Sequence, residues 1–155
     1  MEIRPATETD LPQLAQLYHE AVCTLAPQHY TPQQVAVWAS FGRLSPAFRH
    51  FILDANTFVV DRDEQILGFC GIDSKGHLTS LYVHPQHIRQ HIGSQLVQRV
   101  LDYATQHRIN PIFVEASHFS RPLFEKFGFR LTEIEQIQRD GVIFERFHLQ
   151  RHRAC

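Results

Sequence analysis

The chain has 155 residues, of which 43% are hydrophobic and 20% charged, and its formal net charge is -1. These values are typical of a packed globular protein, so we predict a single domain over residues 1–155. The near-neutral charge disfavours nucleic acid and anionic membranes as partners, and no run approaches the ~20 apolar residues that span a bilayer.

The first third of the chain is predicted to be helical. Residues 2–4 form a short strand, after which apolar residues recur at the spacing of one helical face over 11–25. Because Pro12 fits only in a first helical turn, Thr9 or Asp10 is the expected N-cap residue. Two further pairs, Thr31 with Pro32 and Ser45 with Pro46, repeat this pattern of a cap followed by proline and predict two more short helices.

The remaining elements predict an α+β fold. Runs 57–60, 66–72 and 78–83 are rich in β-branched and aromatic residues, and the short polar segments between them favour an antiparallel meander. A helix from residue 92 to about 107 follows, then a strand at 112–114, a short helix at 122–126 and a terminal hairpin. This order favours a mixed, mostly antiparallel sheet flanked by helices over a doubly wound nucleotide-binding fold.

The segment from His84 to Gly93 leads from a strand into a helix and is chemically suggestive. Main-chain N–H groups at a helix N-terminus lack intrahelical acceptors and carry the positive end of the helix dipole. Such a loop can hold a pyrophosphate, and Arg89 adds a positive charge there. Taken alone, the pattern favours the simpler interpretation in which Gly93 serves close packing.

The run LYVHPQHIRQHIGSQLV resembles the acyl-CoA loop of the GNAT superfamily of N-acetyltransferases. Residues 112–129, which end in the pair Gly128 and Phe129, resemble that family's fifth strand and fourth helix. IRPATETDLPQL is similar to its first strand and helix, and YTPQQVAVWA resembles a branch with a tryptophan in the second helix. The resemblance covers nearly the whole chain. It implies acetyl-CoA as co-substrate, bound by Leu81, Tyr82, Val83, Ile88, Arg89, Gln90, His91, Ile92, Gly93, Ser94 and Phe124.

Three residues depart from the family pattern. Ile88 stands where the family has Gln or Arg, His91 stands at the first glycine, and Phe124 stands where a tyrosine often protonates the leaving thiolate. A CoA thiol, with a pKa of about 8.5 by comparison with cysteine, can leave without such an acid. The departures support a second hypothesis, a non-catalytic relative that binds an acyl-CoA or another ligand as a sensor.

Acetyl transfer to an amine requires an oxyanion partner and a base. The resemblance places a main-chain N–H of strand 81–83 against the thioester carbonyl. Glu115 is our first candidate for the base, because burial on its strand is expected to raise its pKa, and His77 is the second. The simpler alternatives are that Glu115 hydrogen-bonds a neighbouring loop and that His77 is a surface residue.

Aromatic residues in the first third are candidates for an acceptor pocket, although the same residues also suit a core. They are Tyr30, Trp38, Phe41, Phe48 and Phe51. Tyr82 either orients substrate or packs in the core, and its apolar neighbours favour the core.

The cysteines and histidines predict neither a disulfide framework nor a metal centre. Cys23, Cys70 and Cys155 lack short spacings and are interpreted as free thiols. With an acidic N-terminus unlike a signal peptide, they predict a cytoplasmic location. His148 and His152 would lie about 13 Å apart on a strand, too far to share an ion. Only a weak adventitious site over residues 84–91 is left open.

The favoured function is direct transfer of acetyl from acetyl-CoA to a primary amine of a small molecule or peptide. A sensor module is the alternative, and a histidine-based responder to pH or metal ranks below both. A homodimer is left open, and the acceptor is not identified by the sequence.

Overall fold

The computed structural model describes residues 1–153. Seven strands and five helices follow the predicted order, with short 3-10 turns between some of them. The strands are β1 (Glu2–Pro5), β2 (Asn56–Arg62), β3 (Gln65–Ile72), β4 (Leu78–Val83), β5 (Ile112–Ala116), β6 (Arg130–Arg139) and β7 (Val142–Arg151). The helices are α1 (Leu11–Leu25), α2 (Pro32–Ala39), α3 (Pro46–Leu53), α4 (Ile92–Gln106) and α5 (Arg121–Lys126).

The helix starts follow the capping chemistry of the sequence. The Thr31 hydroxyl accepts the Gln34 N–H, while the Gln34 side chain accepts the Thr31 N–H, so α2 begins with a reciprocal capping box. Ser45 caps α3 by accepting the Phe48 N–H. Asp10 is the N-cap residue of α1, as predicted, but its carboxylate accepts the Thr7 N–H at 2.8 Å instead of an N–H of α1.

The strands form two antiparallel sheets that meet at one point. The first has the order β1-β2-β3-β4 and the second has the order β5-β7-β6. A parallel bridge between His77 and Phe113 connects them, with the Phe113 N–H donating to the Gly76 carbonyl at 2.9 Å. The arrangement confirms the predicted mixed, mostly antiparallel topology.

Both faces of the first sheet are covered by apolar side chains. Alternate residues of β2 point to opposite faces, so Phe58 and Val60 pack towards α4 while Val59 packs towards α1. The predicted helix α4 buries one apolar face: Ile92, Leu96, Val97, Val100, Leu101 and Ala104. Burial of each large apolar side chain contributes about 1.5–3 kcal/mol, so these two layers fix the orientation of the sheet and its helices.

The cysteines of the described residues carry no disulfide: Cys70 is a free thiol in the core, and Cys23 is a free thiol at the surface. Burial raises the pKa of the Cys70 thiol. The prediction for Cys155 lies outside the described residues. Within residues 1–153, every helix is too short or too polar to cross a membrane.

Candidate active site

The two sheets separate between β4 and β5, which leaves one edge of β4 open. The His84 N–H donates to the Leu67 carbonyl of β3 at 2.8 Å. Since N–H groups of alternate residues point to opposite edges of a strand, those of Leu81 and Val83 point away from β3 and into the gap. Among the residues that the structure describes, the only bridge from β4 to β5 is the one at His77. Two main-chain donors therefore face the opening.

A cavity of about 670 Å³ occupies this gap. Its floor is β4, including the predicted residues Leu81, Tyr82 and Val83. The far side is made by β5 and the start of α5, with Ser117, Leu123 and Phe124 among the lining residues. Phe124 is only 1% exposed and its ring packs on Phe129, so the position of the family's tyrosine carries an apolar ring here.

The loop before α4 lies at the border of this cavity. Within residues 1–153, none of the predicted positions 88–94 lines the cavity itself. A Cβ on Gly93 would lie 3.0 Å from Leu123 and 3.6 Å from Val83, two residues that do line it. The loop is therefore adjacent to the open strand edge, and Gly93 serves the close packing of α4. The Ile92 side chain is 2% exposed and packs within the core, so only its main chain is available to the loop site, and the prediction that this position binds CoA stays a prediction.

Two loop residues adopt the left-handed backbone conformation. Arg89 has φ of 68° and His91 has φ of 61°. His91 thus takes the backbone shape for which glycine is usually selected, immediately before the first residue of α4. Gln90 lies between them on the surface, and Ser94 is half-buried in the first turn of the helix.

The two candidate bases are in direct contact. His77 Nε2 lies 2.8 Å from Glu115 Oε2, and both side chains are largely buried, with 32% and 22% exposed. The His77 ring stacks on Phe113 at 5.0 Å, and its main-chain N–H donates to Asp73 Oδ1 at 3.0 Å. These contacts fix the imidazole at the closed end of the cavity, where the sheets meet.

The pair shifts the two pKa values in opposite directions. The hydrogen bond to Glu115 raises the pKa of His77 above its ordinary value, and burial opposes this rise only in part. The hydrogen bond from His77 holds the pKa of Glu115 below its ordinary value. The prediction that burial raises the pKa of Glu115 is therefore wrong, because a cationic partner at hydrogen-bond distance outweighs desolvation.

Charged residues of the terminal hairpin surround this pair and were not predicted. Arg146 Nη1 lies 3.9 Å from Glu115, and Arg146 Nε donates to Glu135 Oε1 at 2.6 Å. His148, first considered for a metal, lies 3.0 Å from the same Glu135 oxygen. Opposite charges on facing strands of the predicted hairpin were the signal available in the sequence.

Most of the predicted aromatic residues line the cavity. Tyr30, Trp38, Phe41 and Phe51 do so, whereas Phe48 is fully buried in the core, which is the alternative that the sequence left open for it. The Tyr82 ring packs 4.4 Å from that of Tyr18, as the favoured core interpretation predicts, and it also lines the cavity, so a role in orienting the substrate stays a prediction.

Two of the three histidines in the segment 84–91 have protein partners. His87 Nδ1 lies 3.2 Å from Arg62 Nη2, and His84 Nε2 lies 3.6 Å from Glu20. Within residues 1–153, no three His, Cys, Asp or Glu side chains are grouped closely enough to hold a metal ion. The expectation that the protein needs no metal stays a prediction.

A mixed sheet that opens between two central strands, with a helix starting at the open edge, is the architecture of GNAT acetyltransferases. Residues 26–150 match the family model described as the acetyltransferase (GNAT) domain. The chain therefore belongs to this family of acetyl-CoA-dependent N-acetyltransferases.

Individual relatives agree over nearly the full length. The uncharacterized N-acetyltransferase YafP of Escherichia coli (strain K12) is 25% identical over 150 residues, which are 97% of this chain and 95% of that protein. A solved GCN5-related N-acetyltransferase of Rhodopseudomonas palustris superposes with a TM-score of 0.93 at 20% identity, covering 97% and 94% of the two chains. The PaiA N-acetyltransferase of Thermoplasma acidophilum, solved with coenzyme A, gives a TM-score of 0.74 at 15% identity, with 98% of each chain covered.

Proposed function

We propose that this protein transfers the acetyl group of acetyl-CoA directly to a primary amine of a small molecule or peptide. One observation carries the proposal: the main-chain N–H groups of Leu81 and Val83 face a cavity whose closed end holds the hydrogen-bonded pair His77 and Glu115. Hydrogen-bond donors fixed in advance stabilise the negative charge that develops on a carbonyl oxygen during acyl transfer.

The residues present suit acetyl-CoA, which supplies an activated acetyl thioester. Leu81 and Val83 would donate to the thioester carbonyl. Main-chain N–H groups at the start of α4 would hold the pyrophosphate, because they lack intrahelical acceptors and lie at the positive end of the helix dipole. Arg89 supplies a formal positive charge on the same loop. The left-handed backbone at His91 preserves the loop shape expected of a glycine.

The pair His77 and Glu115 would accept the proton that the amine loses. As the new C–N bond forms and the C–S bond breaks, neutral His77 takes a proton from the attacking amine through water and returns it through water to the departing thiolate, so that CoA leaves as the thiol. Glu115 orients the imidazole and stabilises its protonated form. His77 precedes Leu81 by four residues, a separation of about 13 Å along a strand, so the proton travels through water in the cavity.

Calorimetry with acetyl-CoA, followed by a thiol-release assay over a panel of amines, tests the proposal. Absence of binding at millimolar acetyl-CoA would refute it. Binding without CoA release over the panel would instead favour the sensor, which the missing hydroxyl at Phe124 supports.

The role of the pair has its own test. Glu115→Gln should lower kcat by at least about tenfold while leaving acetyl-CoA affinity unchanged, because it removes only the charge that supports the base. Glu133→Gln is the matched control, since Glu133 is exposed on β6 and outside the cavity. Unchanged kcat in Glu115→Gln would remove Glu115 from the mechanism.

A further inference from the structure

The acceptor side of the cavity has a wall of aromatic rings from separate parts of the chain. The wall consists of Tyr18, Trp38, Phe41, Phe51 and Tyr82. The Phe41 and Phe51 rings are 5.2 Å apart at 87°, and Tyr18 lies 5.7 Å from Phe41. Because the rings support one another edge to face, their remaining open surface has a defined shape.

The polar atoms carried by the aromatic rings here have protein partners, whereas the buried hydroxyls of Thr79 and Ser80, which also line the cavity, have none. Trp38 Nε1 donates to the Tyr82 hydroxyl at 3.2 Å, and the Tyr30 hydroxyl accepts the His118 N–H at 3.0 Å. The wall therefore offers ring faces more than hydrogen bonds. A sugar or polyol against it would lose hydrogen bonds to water without replacement, whereas a flat apolar group would bury its surface.

The charged side chains that line the cavity favour a cation. Among the described residues, four carboxylates line it, Asp54, Asp73, Glu115 and Glu145, beside the arginines Arg139 and Arg146 and the histidines His50 and His77. His50 pairs with Asp54, and His77 pairs with Glu115. Arg146 is already bound to Glu135. The carboxylate oxygens of the lining can accept charge-assisted hydrogen bonds from an ammonium group.

On the basis of the acetyl transfer proposed above, we propose that the acceptor is a small primary amine carried on an aromatic or comparably flat apolar group. Its ring lies against Phe41 and Phe51, and its ammonium points towards His77 and Glu115. The volume of about 670 Å³ falls within the range of small-molecule sites, about 300–1,000 Å³. This substrate class is narrower than primary amines in general, because the acceptor must contact the aromatic wall as well as the carboxylates.

A panel of matched amines tests the class by steady-state kinetics. It contains 2-phenylethylamine, 2-cyclohexylethylamine, glucosamine and a short peptide with a free N-terminus. We expect kcat/KM to be highest for 2-phenylethylamine, by about tenfold over its saturated analogue, because only the flat ring stacks on the wall. A higher kcat/KM for glucosamine or the peptide would overturn the proposal while leaving acetyl transfer intact.

Binding can also be measured without catalysis. Trp38 is the only tryptophan in the chain, so its fluorescence reports a ligand at the wall directly. Titration with 2-phenylethylamine should saturate, and Phe41→Leu and Phe51→Leu should each weaken this binding several-fold. Phe127→Leu is the matched control, because Phe127 is partly buried against the α4 side of the core and outside the cavity.

The outcomes separate the two proposals. In the first case no amine is acetylated, but 2-phenylethylamine still quenches the Trp38 fluorescence of the unmodified protein and quenches it less in Phe41→Leu and Phe51→Leu. The proposed acetyl transfer is then wrong, while the proposed class of ligand stands. If the two wall variants bind the amine as tightly as the unmodified protein, the wall does not recognise the acceptor and the inference fails, whatever the activity.

Discussion

Removing the charge of Glu115 should destabilise the fold in a way that depends on pH. In Glu115→Gln the amide keeps an uncharged contact with His77 but loses the ion pair formed at 2.8 Å. A hydrogen bond to a charged group contributes about 1.5–3 kcal/mol. Because 32% and 22% of the two side chains remain exposed, solvent screens the pair, and the expected loss is about 1–2 kcal/mol. For a chain of this size that lowers Tm by about 3–6 °C.

The pH window follows from the two pKa shifts. The pKa of His77 is raised from 6.5, so its contribution is complete below that pH and is lost as pH rises through the folded-state value. The pKa of Glu115 is lowered from 4.5, so its contribution is complete above that pH and is lost as pH falls through the folded-state value. The difference between unmodified protein and variant is therefore largest between pH 4.5 and 6.5.

Thermal unfolding followed by circular dichroism at pH 5.5 and at pH 9, on the unmodified protein and on Glu115→Gln, measures this difference. Glu133→Gln serves as control for loss of a carboxylate and should give equal Tm changes at the two pH values. A Tm difference for Glu115→Gln that is the same at both pH values, or absent at pH 5.5, would refute the reasoning.

Three further substitutions, two at glycines and one at Asp10, test the stability of the fold that holds the site. Gly76→Ala should lower the free energy of unfolding in urea by about 3 kcal/mol, because its Cβ would lie 2.3 Å from the Pro111 carbonyl at φ of +96°. Gly141→Ala, with φ of +77° and no atom within 4 Å, should lower it by only about 1 kcal/mol, and equal losses would contradict the argument. Asp10→Asn should lower Tm at pH 7, since Asp10 is buried and bonds Arg4 at 2.8 and 2.9 Å. The pKa of Asp10 is lowered, so the Tm difference between the unmodified protein and Asp10→Asn should shrink as the pH falls through that pKa. A Tm difference that persists in acid would count against the ion pair.

The sequence predicted those parts of the fold that depend on local patterns. Periodicity located α4, and the cap-then-proline pairs located α2 and α3, because a helix start is decided within four residues. Phe48 and Phe51 show where a local pattern no longer predicts the structure. Both lie in α3, three residues apart, yet Phe48 packs into the core while Phe51 faces the cavity. That difference is set by the angle at which α3 meets its neighbours, which the local pattern does not contain.

The candidate site shows the same limit for electrostatics. His77 and Glu115 were both identified as candidate bases, but as alternatives, because 37 residues of chain lie between them. The parallel bridge at His77 and Phe113 brings them within hydrogen-bond distance. Once they are in contact, each determines the other's pKa, and the direction expected from burial alone is reversed for Glu115.

The loop residue His91 shows why a departure from a family motif need not change the backbone. Glycine is selected at such positions because a Cβ disfavours positive φ. His91 nevertheless has φ of 61° and ψ of 21°, within the left-handed region that histidine occupies more readily than β-branched residues do. The packing of Gly93 against Leu123 and Val83 holds α4 close to the open strand edge, so the chain must turn sharply just before the helix. The turn is therefore imposed by the helix position, and the sequence departure at His91 changes the side chain at this position and not the course of the main chain.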